Sequence, residues 1–391
     1  MTGIKMSEDI RNFLEDSKYH LKISKWCYSC SFCARCNEIC PRGVNRQEIK
    51  DFLKIELAKN HNNKIKNFGY LLIPPFFNLN FPGMFPFFKE YFKSISPKRS
   101  KFFERRSIKN SGQKDVVLFT GCGINALPDS LNSLFDIMSV LNIDYGILQG
   151  THKNACCGRI DLELGNWTNT EKLAKILIDE LKRFKPSTVL VYCTSCYYML
   201  KKVIPYYVPY EFEVKHCTEY IGELKSEIQA SIRQDMKVTI APFDSCHMRE
   251  SKQFNGIRNC FKYAGFQVKE LKHSKSKSLC CISGLLNNGV LNGLTLSNHP
   301  VLKEAKNIKD LNILTNLCTG CHLILSLYRH VGFNKFGYRF EVENWPVTLS
   351  KAFGQNYPNY LKSLMHPTFL FKNLRIAIKA GAFNSILKNI I

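Results

Sequence analysis

The sequence lacks the features of a membrane-spanning or exported protein. No apolar stretch reaches the roughly 18 residues that a helix needs to cross a bilayer. Residues 1–25 are charged and polar and show no secretory signal. From these absences we expect an intracellular, reducing location in the cytoplasm.

Acidic residues are scarce. The 391-residue chain has 55 Lys and Arg against 32 Asp and Glu, which gives a formal net charge of +23. Such an excess can favour nucleic acid, an anionic membrane surface or an acidic partner protein, and a lysine-rich genome would give the same composition. No nucleic-acid-binding module is recognisable, so we expect no nucleic-acid partner.

Motifs for nucleotide chemistry and for serine catalysis are also missing. The sequence has no phosphate-binding loop, no dinucleotide fingerprint and no serine-type triad. If flavin takes part in the reaction, we therefore expect a partner subunit to carry it.

Cysteine, by contrast, is abundant, with 17 residues. Disulfides are rare in reducing compartments, and disulfide scaffolds are usually much shorter than this chain. Clustered cysteines in such a location more often bind metal. The sequence therefore predicts metal sites.

Ten of the cysteines form an internal repeat. Each copy has a single cysteine, then an adjacent pair, then a Cys-x-x-Cys. Thirty-three residues separate the single cysteine from the pair in both copies, and 35 or 36 residues separate the pair from the Cys-x-x-Cys. The first copy contains Cys122, Cys156, Cys157, Cys193 and Cys196, and the second contains Cys246, Cys280, Cys281, Cys318 and Cys321.

Five thiolates per copy bear on the kind of metal. Adjacent cysteines rarely form a disulfide with each other, because the bridge strains the peptide geometry, but they can bind two irons of one cluster. A zinc ion takes four ligands in a tetrahedron, so a fifth thiolate would be surplus. The pattern favours an iron–sulfur cluster in each copy, with zinc and buried free thiols as the alternatives.

Short apolar runs precede the repeat cysteines, and helical stretches lie between them. Strands that alternate with helices indicate an α/β fold with parallel sheets, and functional residues of such sheets lie at the carboxyl ends of the strands. The predicted strands are Val116–Phe119, Val189–Tyr192, Val238–Ile240 and Leu311–Leu314, and a predicted helix covers Thr170–Phe184.

The repeat resembles the cysteine-cysteine-glycine domain of heterodisulfide reductase catalytic subunits over roughly residues 115–350. It is also similar to glycolate oxidase iron–sulfur subunits and to an atypical succinate dehydrogenase subunit. Residues 214–220 resemble the link between copies in that family. The resemblance implies that the five cysteines of each copy bind a noncubane [4Fe-4S] cluster. The second copy departs from the pattern, because Ile282 stands where the first copy has Gly158, so its site is expected to differ in shape or potential.

A separate cysteine run lies near the N-terminus. Cys30, Cys33, Cys36 and Cys40, with a proline after the last, match the bacterial ferredoxin run, whose first three cysteines bind one cubane while the fourth usually serves a second cluster. The run occurs once, with Cys27 just upstream. We predict one [4Fe-4S] cubane bound by the first three cysteines, with Cys40 or Cys27 as the fourth ligand. A second cubane and a zinc knuckle are the alternatives.

These observations predict a small helical ferredoxin-like domain followed by two α/β domains that are related by a pseudo-twofold axis. The predicted segments are a [4Fe-4S] domain at 1–60 with a helix at Arg46–Lys59, an aromatic and basic linker at 61–112, the first cysteine-cysteine-glycine domain at 113–225, the second at 226–350, and a basic tail at 351–391.

Other side chains near the motifs have less specific signals. Cys217 and Cys260 fall outside the motifs and are interpreted as buried free thiols. Arg159 and Arg249 could bind an anionic substrate, but solvated surface positions are the favoured interpretation.

Two histidines each follow a repeat cysteine. His247 and His322 could donate protons to departing thiolates. A role as hydrogen-bonding neighbours of the ligands is an equal alternative.

The C-terminal segment is the most one-sided in charge. Residues 344–391 contain no Asp or Glu. The part after residue 367 can form a basic amphipathic helix, which could fold back on its own domain, dock a partner or lie on an anionic membrane surface. The basic residues of segment 344–391 are Lys351, Lys362, Lys372, Arg375, Lys379 and Lys388.

The resemblance implies an oxidoreductase subunit within a redox complex. We expect the N-terminal cubane to pass single electrons to two noncubane clusters, which cleave or form a disulfide. The alternative is a non-catalytic electron relay in a flavin dehydrogenase complex that feeds a quinone.

Overall fold

The structure is a computed structural model. It describes residues 3–16, 21–28, 30, 33–60, 112–151, 155–249, 251–281, 299–331 and 337–364. Residues 61–111 of the predicted linker, residues 282–284 of the second copy and residues 365–391 of the predicted tail lie outside the described residues.

The N-terminal segment is helical, as predicted. A small apolar core joins its helices and contains Phe13, Ile23, Cys27, Leu53 and Leu57. The predicted helix at Arg46–Lys59 is confirmed with one additional residue at its end. The helices are α1 (Gly3–Asp16), α2 (Leu21–Tyr28), α3 (Arg35–Glu38) and α4 (Arg46–Asn60).

The first repeat copy forms a parallel four-stranded sheet in the order β2-β1-β3-β4. Its strands are β1 (Val116–Phe119), β2 (Gly146–Leu148), β3 (Thr188–Val191) and β4 (Glu213–His216). Its helices are α5 (Pro128–Val140), α6 (Arg159–Glu163), α7 (Trp167–Lys182), α8 (Thr194–Tyr198), α9 (Cys217–Glu223) and α10 (Lys225–Ala230).

The second copy repeats this topology, with four parallel strands in the order β6-β5-β7-β8. The predicted α/β fold with two related parallel sheets is therefore confirmed. The strands are β5 (Thr239–Phe243), β6 (Gln267–Val268), β7 (Ile313–Asn316) and β8 (Glu341–Asn344). The helices are α11 (Asn255–Tyr263), α12 (Pro300–Lys306), α13 (Thr319–Val331), α14 (Trp345–Ser350) and α15 (Tyr360–Leu364).

Sequence patterns identified only the two central strands of each sheet. Central strands of a parallel sheet are covered on both faces and read as continuous apolar runs, as β1 and β5 do with every residue after the first buried. Edge strands are shorter or carry polar residues. The edge strand β4 has the sequence Glu-Val-Lys-His with its first residue exposed, so no run marked it.

The two copies exchange helices. Helix α9 follows the last strand of the first copy and packs against α11 of the second, while α14 follows the last strand of the second copy and packs against α5 of the first. The α9–α11 crossing is so close that a Cβ on Gly222 would lie 2.7 Å from the Gly256 carbonyl oxygen. Each copy therefore completes its core with a helix from the other.

Residues after the predicted domain boundary at 350 also pack on the first copy. The Tyr360 amide donates to Asp129 Oδ2 at 3.1 Å, and the Tyr357 hydroxyl donates to Asp136. Leu361 is buried. No helix within the described ranges is both long enough and apolar enough to span a bilayer.

We expect Gly256→Ala to destabilise the protein, although alanine is the better helix former by roughly 1 kcal/mol. The new Cβ would lie 2.5 Å from the Thr218 carbonyl oxygen, so the two helix backbones must separate. The expected loss is about 1–3 kcal/mol, measured as a lower thermal midpoint. The exposed neighbour Asn255, changed to Ala, is the control. A Gly256→Ala midpoint at or above that of the wild type would contradict the close crossing.

Candidate metal centres

Four of the ten repeat cysteines closely follow the central strands, as predicted. Cys122 and Cys246 follow β1 and β5 by three residues, and Cys193 and Cys318 follow β3 and β7 by two. The carboxyl ends of parallel strands share one edge of a sheet. The equivalent cysteines of the two copies are therefore presented from equivalent edges.

In the first copy, the five thiols form a continuous series of contacts. Cys122 contacts Cys156, and Cys157 contacts both Cys156 and Cys196. Cys196 in turn contacts Cys193. All five are buried, so this copy forms one enclosed group of sulfur atoms.

The second copy has the same arrangement. Cys246 contacts Cys280, Cys280 contacts Cys281, and Cys281 contacts Cys321. Cys321 contacts Cys318. Four of these residues are buried and Cys280 is half-buried.

The two groups meet at the thiols of Cys193 and Cys318, which contact each other. Ser195 Oγ lies 3.8 Å from Cys318 Sγ, and the Thr194 hydroxyl donates to Ser245 Oγ at 2.8 Å. The ten sulfur atoms thus form one symmetric series whose order is Cys122, Cys156, Cys157, Cys196, Cys193, Cys318, Cys321, Cys281, Cys280 and Cys246.

The pKa shifts of the thiols indicate what kind of group this series of sulfur atoms would bind. Contact with Cys156 and burial hold the pKa of the Cys122 thiol well above its ordinary value, and contacts with Cys157 and Cys193, together with burial, do the same for Cys196. Each thiolate would stand beside another, so a group that brings positive charge is needed to deprotonate them together. Iron in a sulfur-rich cluster fits this donor set. Within the described residues, no three Cys, His, Asp or Glu side chains are grouped to hold a single metal ion.

The first copy has a glycine directly after its cysteine pair. Gly158 has φ +74°, and a Cβ there would lie 3.1 Å from the Thr170 carbonyl oxygen. A left-handed backbone and this close approach both favour glycine. The corresponding Ile282 lies outside the described residues, so the expected difference between the two sites stays a prediction.

The N-terminal cysteines lie beside the second copy. Cys27 is buried, and its carbonyl accepts from the Cys30 amide at 3.1 Å. Burial, with the neighbouring Cys30 and Cys33, raises the pKa of Cys36. Cys33 also lies near enough to Cys246 to contribute to the raised pKa of that thiol. The N-terminal site and the second repeat site are thus within electrostatic reach of each other.

Cys40 has different surroundings. The backbone N–H groups of Arg42 and Val44 contact its sulfur and lower the pKa of the thiol, with a further contribution from Arg46. The choice of Cys40 or Cys27 as the fourth ligand stays a prediction.

Comparison with known proteins agrees with this geometry. The profile of the cysteine-rich domain (CCG) matches residues 116–201 and again residues 240–326. The chain contains two cysteine-rich domains. Each matched segment contains all five cysteines of one copy, and each ends before the last strand of its sheet, β4 or β8.

Relatives extend the similarity beyond the two domains. One polypeptide of the dihydromethanophenazine:CoB–CoM heterodisulfide reductase from Methanosarcina barkeri is 25% identical over 76% of this chain and 72% of its own length. The EtfAB:quinone oxidoreductase of Syntrophomonas wolfei is 26% identical over 51% of this chain and 27% of its own. The probable iron–sulfur-binding oxidoreductase FadF of Bacillus subtilis is 25% identical over 39% and 21%. The resemblance to heterodisulfide reductase subunits is confirmed, and the cysteine-rich domains imply iron–sulfur clusters.

Arg249 joins the N-terminal segment to the second cysteine-rich domain. Its side chain is 1% exposed, so the interpretation as a solvated arginine is wrong. The guanidinium donates to the carbonyl oxygens of Ser276 at 2.7 Å and Ser278 at 2.6 Å, and also to the carbonyl of Cys33. Glu38 lies 3.4 Å away and balances its charge. Ser278 is two residues before Cys280, so one side chain ties two cysteine segments together.

Arg159 is also buried, at 5% exposure, and the surface interpretation is wrong here too. It directly follows the Cys-Cys-Gly of the first domain. Its guanidinium lies 2.9 Å from Glu163 and 3.2 Å from His247 Nε2 of the second domain. His247 Nδ1 lies 3.0 Å from Ser195 Oγ, and its ring stacks on Tyr198. The pair therefore connects the two domains beside the sulfur series.

Of the two histidines that follow repeat cysteines, His322 is buried and His247 is half-buried. Burial lowers the pKa of His247 to about 3 and that of His322 to about 3. His322 Nδ1 lies 3.3 Å from Asn316 Nδ2 and 3.4 Å from Ser326 Oγ. Neutral imidazoles with fixed partners agree with the hydrogen-bonding interpretation. Cys217 and Cys260 are fully buried, as predicted, and lie in the exchanged helix pair.

Sequence reasoning missed a network around Asp244, which follows β5 directly. Arg258 donates to both carboxylate oxygens of Asp244 at 2.8 Å and to Glu270 at 2.6–2.7 Å. Asp244 also accepts from the Lys275 amide at 2.6 Å, and its carbonyl accepts from the Ser278 hydroxyl. The network fixes the loops that carry Cys246 and Cys280. The sequence offered two signals of this network: an Asp-Ser-Cys that follows a predicted strand, and an arginine on the helix after it.

We expect Arg258→Leu to destabilise the second site. The change leaves the Asp244 carboxylate buried without its cation, which costs about 3–5 kcal/mol, and it should lower iron content and the thermal midpoint. Arg183→Leu, at an exposed ion pair with Glu180, should change neither.

The same network has a defined pH dependence. Hydrogen bonds from Arg258 lower the pKa of Glu270 below its ordinary value. The stabilisation of the folded protein by the Arg258–Glu270 pair is therefore present above the ordinary carboxyl pKa and is lost as pH falls through the lowered pKa of Glu270.

The mutational prediction has a clear contrary outcome. If Arg258→Leu retains the wild-type thermal midpoint at neutral pH, the network does not support the site.

Proposed function

We propose that the chain is an iron–sulfur oxidoreductase subunit that passes single electrons from an N-terminal [4Fe-4S] cubane to two noncubane [4Fe-4S] clusters, which reductively cleave or form a disulfide. The contact between Cys193 and Cys318 is the observation that carries the proposal. It brings the two five-cysteine groups together at one place, where both can act on one substrate. Similarity to the heterodisulfide reductase of Methanosarcina barkeri supports the choice of a disulfide.

The stoichiometry of disulfide cleavage explains why two sites are useful. Breaking one sulfur–sulfur bond to give two thiols takes two electrons and two protons. Each bound cluster would supply one electron at a time. In the protein, Arg159, His247 and Ser195 hold the two domains in register beside the sulfur series, so that both sites can face one substrate.

The order of electron transfer follows from the position of the N-terminal run. Arg249 ties the Cys33 carbonyl to the segment before Cys280, and Cys33 lies within electrostatic reach of Cys246. We therefore propose that the second domain receives electrons first and passes them to the first domain at the Cys193–Cys318 contact. The buried Arg249 positions these segments.

Partner subunits complete the proposal. A flavin would belong to such a partner, and the relatives named above are subunits or components of redox systems. A peripheral membrane contact through the basic tail stays a prediction, because residues 365–391 lie outside the described ones.

A second candidate function is an electron relay to quinone in a flavin dehydrogenase complex. The similarity to the EtfAB:quinone oxidoreductase and to FadF favours it. Both functions need the same clusters. They differ in whether the Cys193–Cys318 region acts on a disulfide.

Metal content tests the shared part of both functions. Protein purified without oxygen should be brown and contain about twelve irons, if each of the three sites holds a four-iron cluster. Iron and acid-labile sulfide assays measure this directly. Stoichiometric zinc in a colourless protein would reject iron–sulfur clusters.

Cysteine substitutions distinguish the two functions. Cys157→Ala and Cys281→Ala each remove the thiol that links the pair to the Cys-x-x-Cys, so either should abolish disulfide cleavage. The cubane signal in electron paramagnetic resonance should remain. Cys260→Ala, at a buried cysteine outside the motifs, should keep both. If Cys157→Ala or Cys281→Ala reduces disulfides at the wild-type rate, two-site cleavage is refuted. If the wild-type protein reduces quinones but no disulfide, the electron relay is favoured.

A further inference from the structure

Exposed apolar side chains are concentrated in the N-terminal segment. Eight large hydrophobic residues are exposed among the described residues, and five of them lie between residues 14 and 52. Apolar patches on a surface commonly mark places where another protein binds. The five residues are Leu14, Ile39, Val44, Ile49 and Phe52.

Two of these side chains flank the last cysteine of the N-terminal run. Ile39 is 68% exposed and Val44 is 41% exposed, on either side of Cys40. The loop between them is well held, because the Gly43 amide donates to the Cys40 carbonyl at 3.1 Å and the Asn37 side chain donates to Asn45 Oδ1 at 2.7 Å. The apolar groups are therefore displayed by a fixed loop.

Basic side chains surround this loop. Arg35, Arg42 and Arg46 are all exposed. The only acidic residue in 33–47 is Glu38, and Glu38 faces the buried Arg249 at 3.4 Å. The loop thus combines two exposed apolar groups with three cations, and its one carboxylate is neutralised from within the protein. We call residues 35–46 the Cys40 face.

We propose that the Cys40 face docks an acidic redox protein that delivers electrons to the N-terminal site. The inference rests on the proposed function, because it assigns an electron donor to that site. Weak redox encounters use small interfaces, and opposite charges around an apolar centre steer them at high rates. A donor bound at the Cys40 face would also lie close to the cysteines that would hold the cubane, so electrons would cross a short distance.

An acidic bacterial ferredoxin is the probe. We expect Arg35→Glu with Arg42→Glu, and separately Ile39→Asp, to weaken its binding by about tenfold or more at low salt, as expected for lost charge complementarity. The rate of cluster reduction by the photoreduced ferredoxin should fall in parallel. Arg46 is left unchanged because it contacts Cys40. Lys237→Glu with Lys303→Glu, at exposed lysines of the second domain, is the charge-matched control and should retain at least half of the wild-type rate.

Binding measured by surface plasmon resonance separates this inference from the proposed function. If the wild-type protein binds the ferredoxin but accepts no electrons from it, the proposed electron-transfer function is rejected and the docking face is retained. Unchanged binding in the Arg35 and Arg42 variant, or an equal loss in the lysine control, would overturn the docking face. Iron content and reduction by dithionite should match the wild type in every variant, so a loss of binding with intact clusters supports the proposal. Binding of DNA or anionic vesicles instead of ferredoxin would also overturn it.

Discussion

The contact between the thiols of Cys193 and Cys318 is the constraint that the rest of the structure satisfies. It requires the carboxyl ends of two separate sheets to face each other. Cys193 and Cys318 each follow a central strand of their own sheet by two residues, and the exchanged helices α9 and α14 hold the sheets in this orientation. The two cysteine groups can meet only if the two domains are related in this pseudo-twofold way. The exchanged helices show the same relation in the hydrophobic core.

Polar contacts refine what the helices establish. Thr194 and Ser245 join across the axis, and Arg159 and His247 join beside it. Thr194, Ser245 and Arg159 are buried and His247 is half-buried, so a misplaced domain would leave several of these groups without their hydrogen-bond partners. Burial of polar pairs at this interface therefore favours one relative orientation of the domains over others.

The sequence predicted the cysteine groups and the sheets because spacing and apolar runs are local signals. The central strands β1, β3, β5 and β7 were recognisable as apolar runs, whereas the edge strands, such as Gln267–Val268, carry too few apolar residues. The helix exchange was not predictable, because it depends on close packing at Gly222 and Gly256, which are 34 positions apart. The burial of Arg159 and Arg249 was missed for a related reason. An arginine reads as a surface residue until its acceptors, which lie far away in the chain, are known.

The acceptors of Arg249 are main-chain carbonyls at residues 33, 276 and 278. A carbonyl oxygen is present whatever the side chain, so this contact restricts the conformation of three segments without restricting their residue types. Only the arginine itself is specified. During divergence of related chains, substitutions at positions 276 and 278 would leave the junction intact and would require no compensating change elsewhere, while Cys33 is restricted only by its predicted role as a cluster ligand. Residue covariation would accordingly give no sign of this junction.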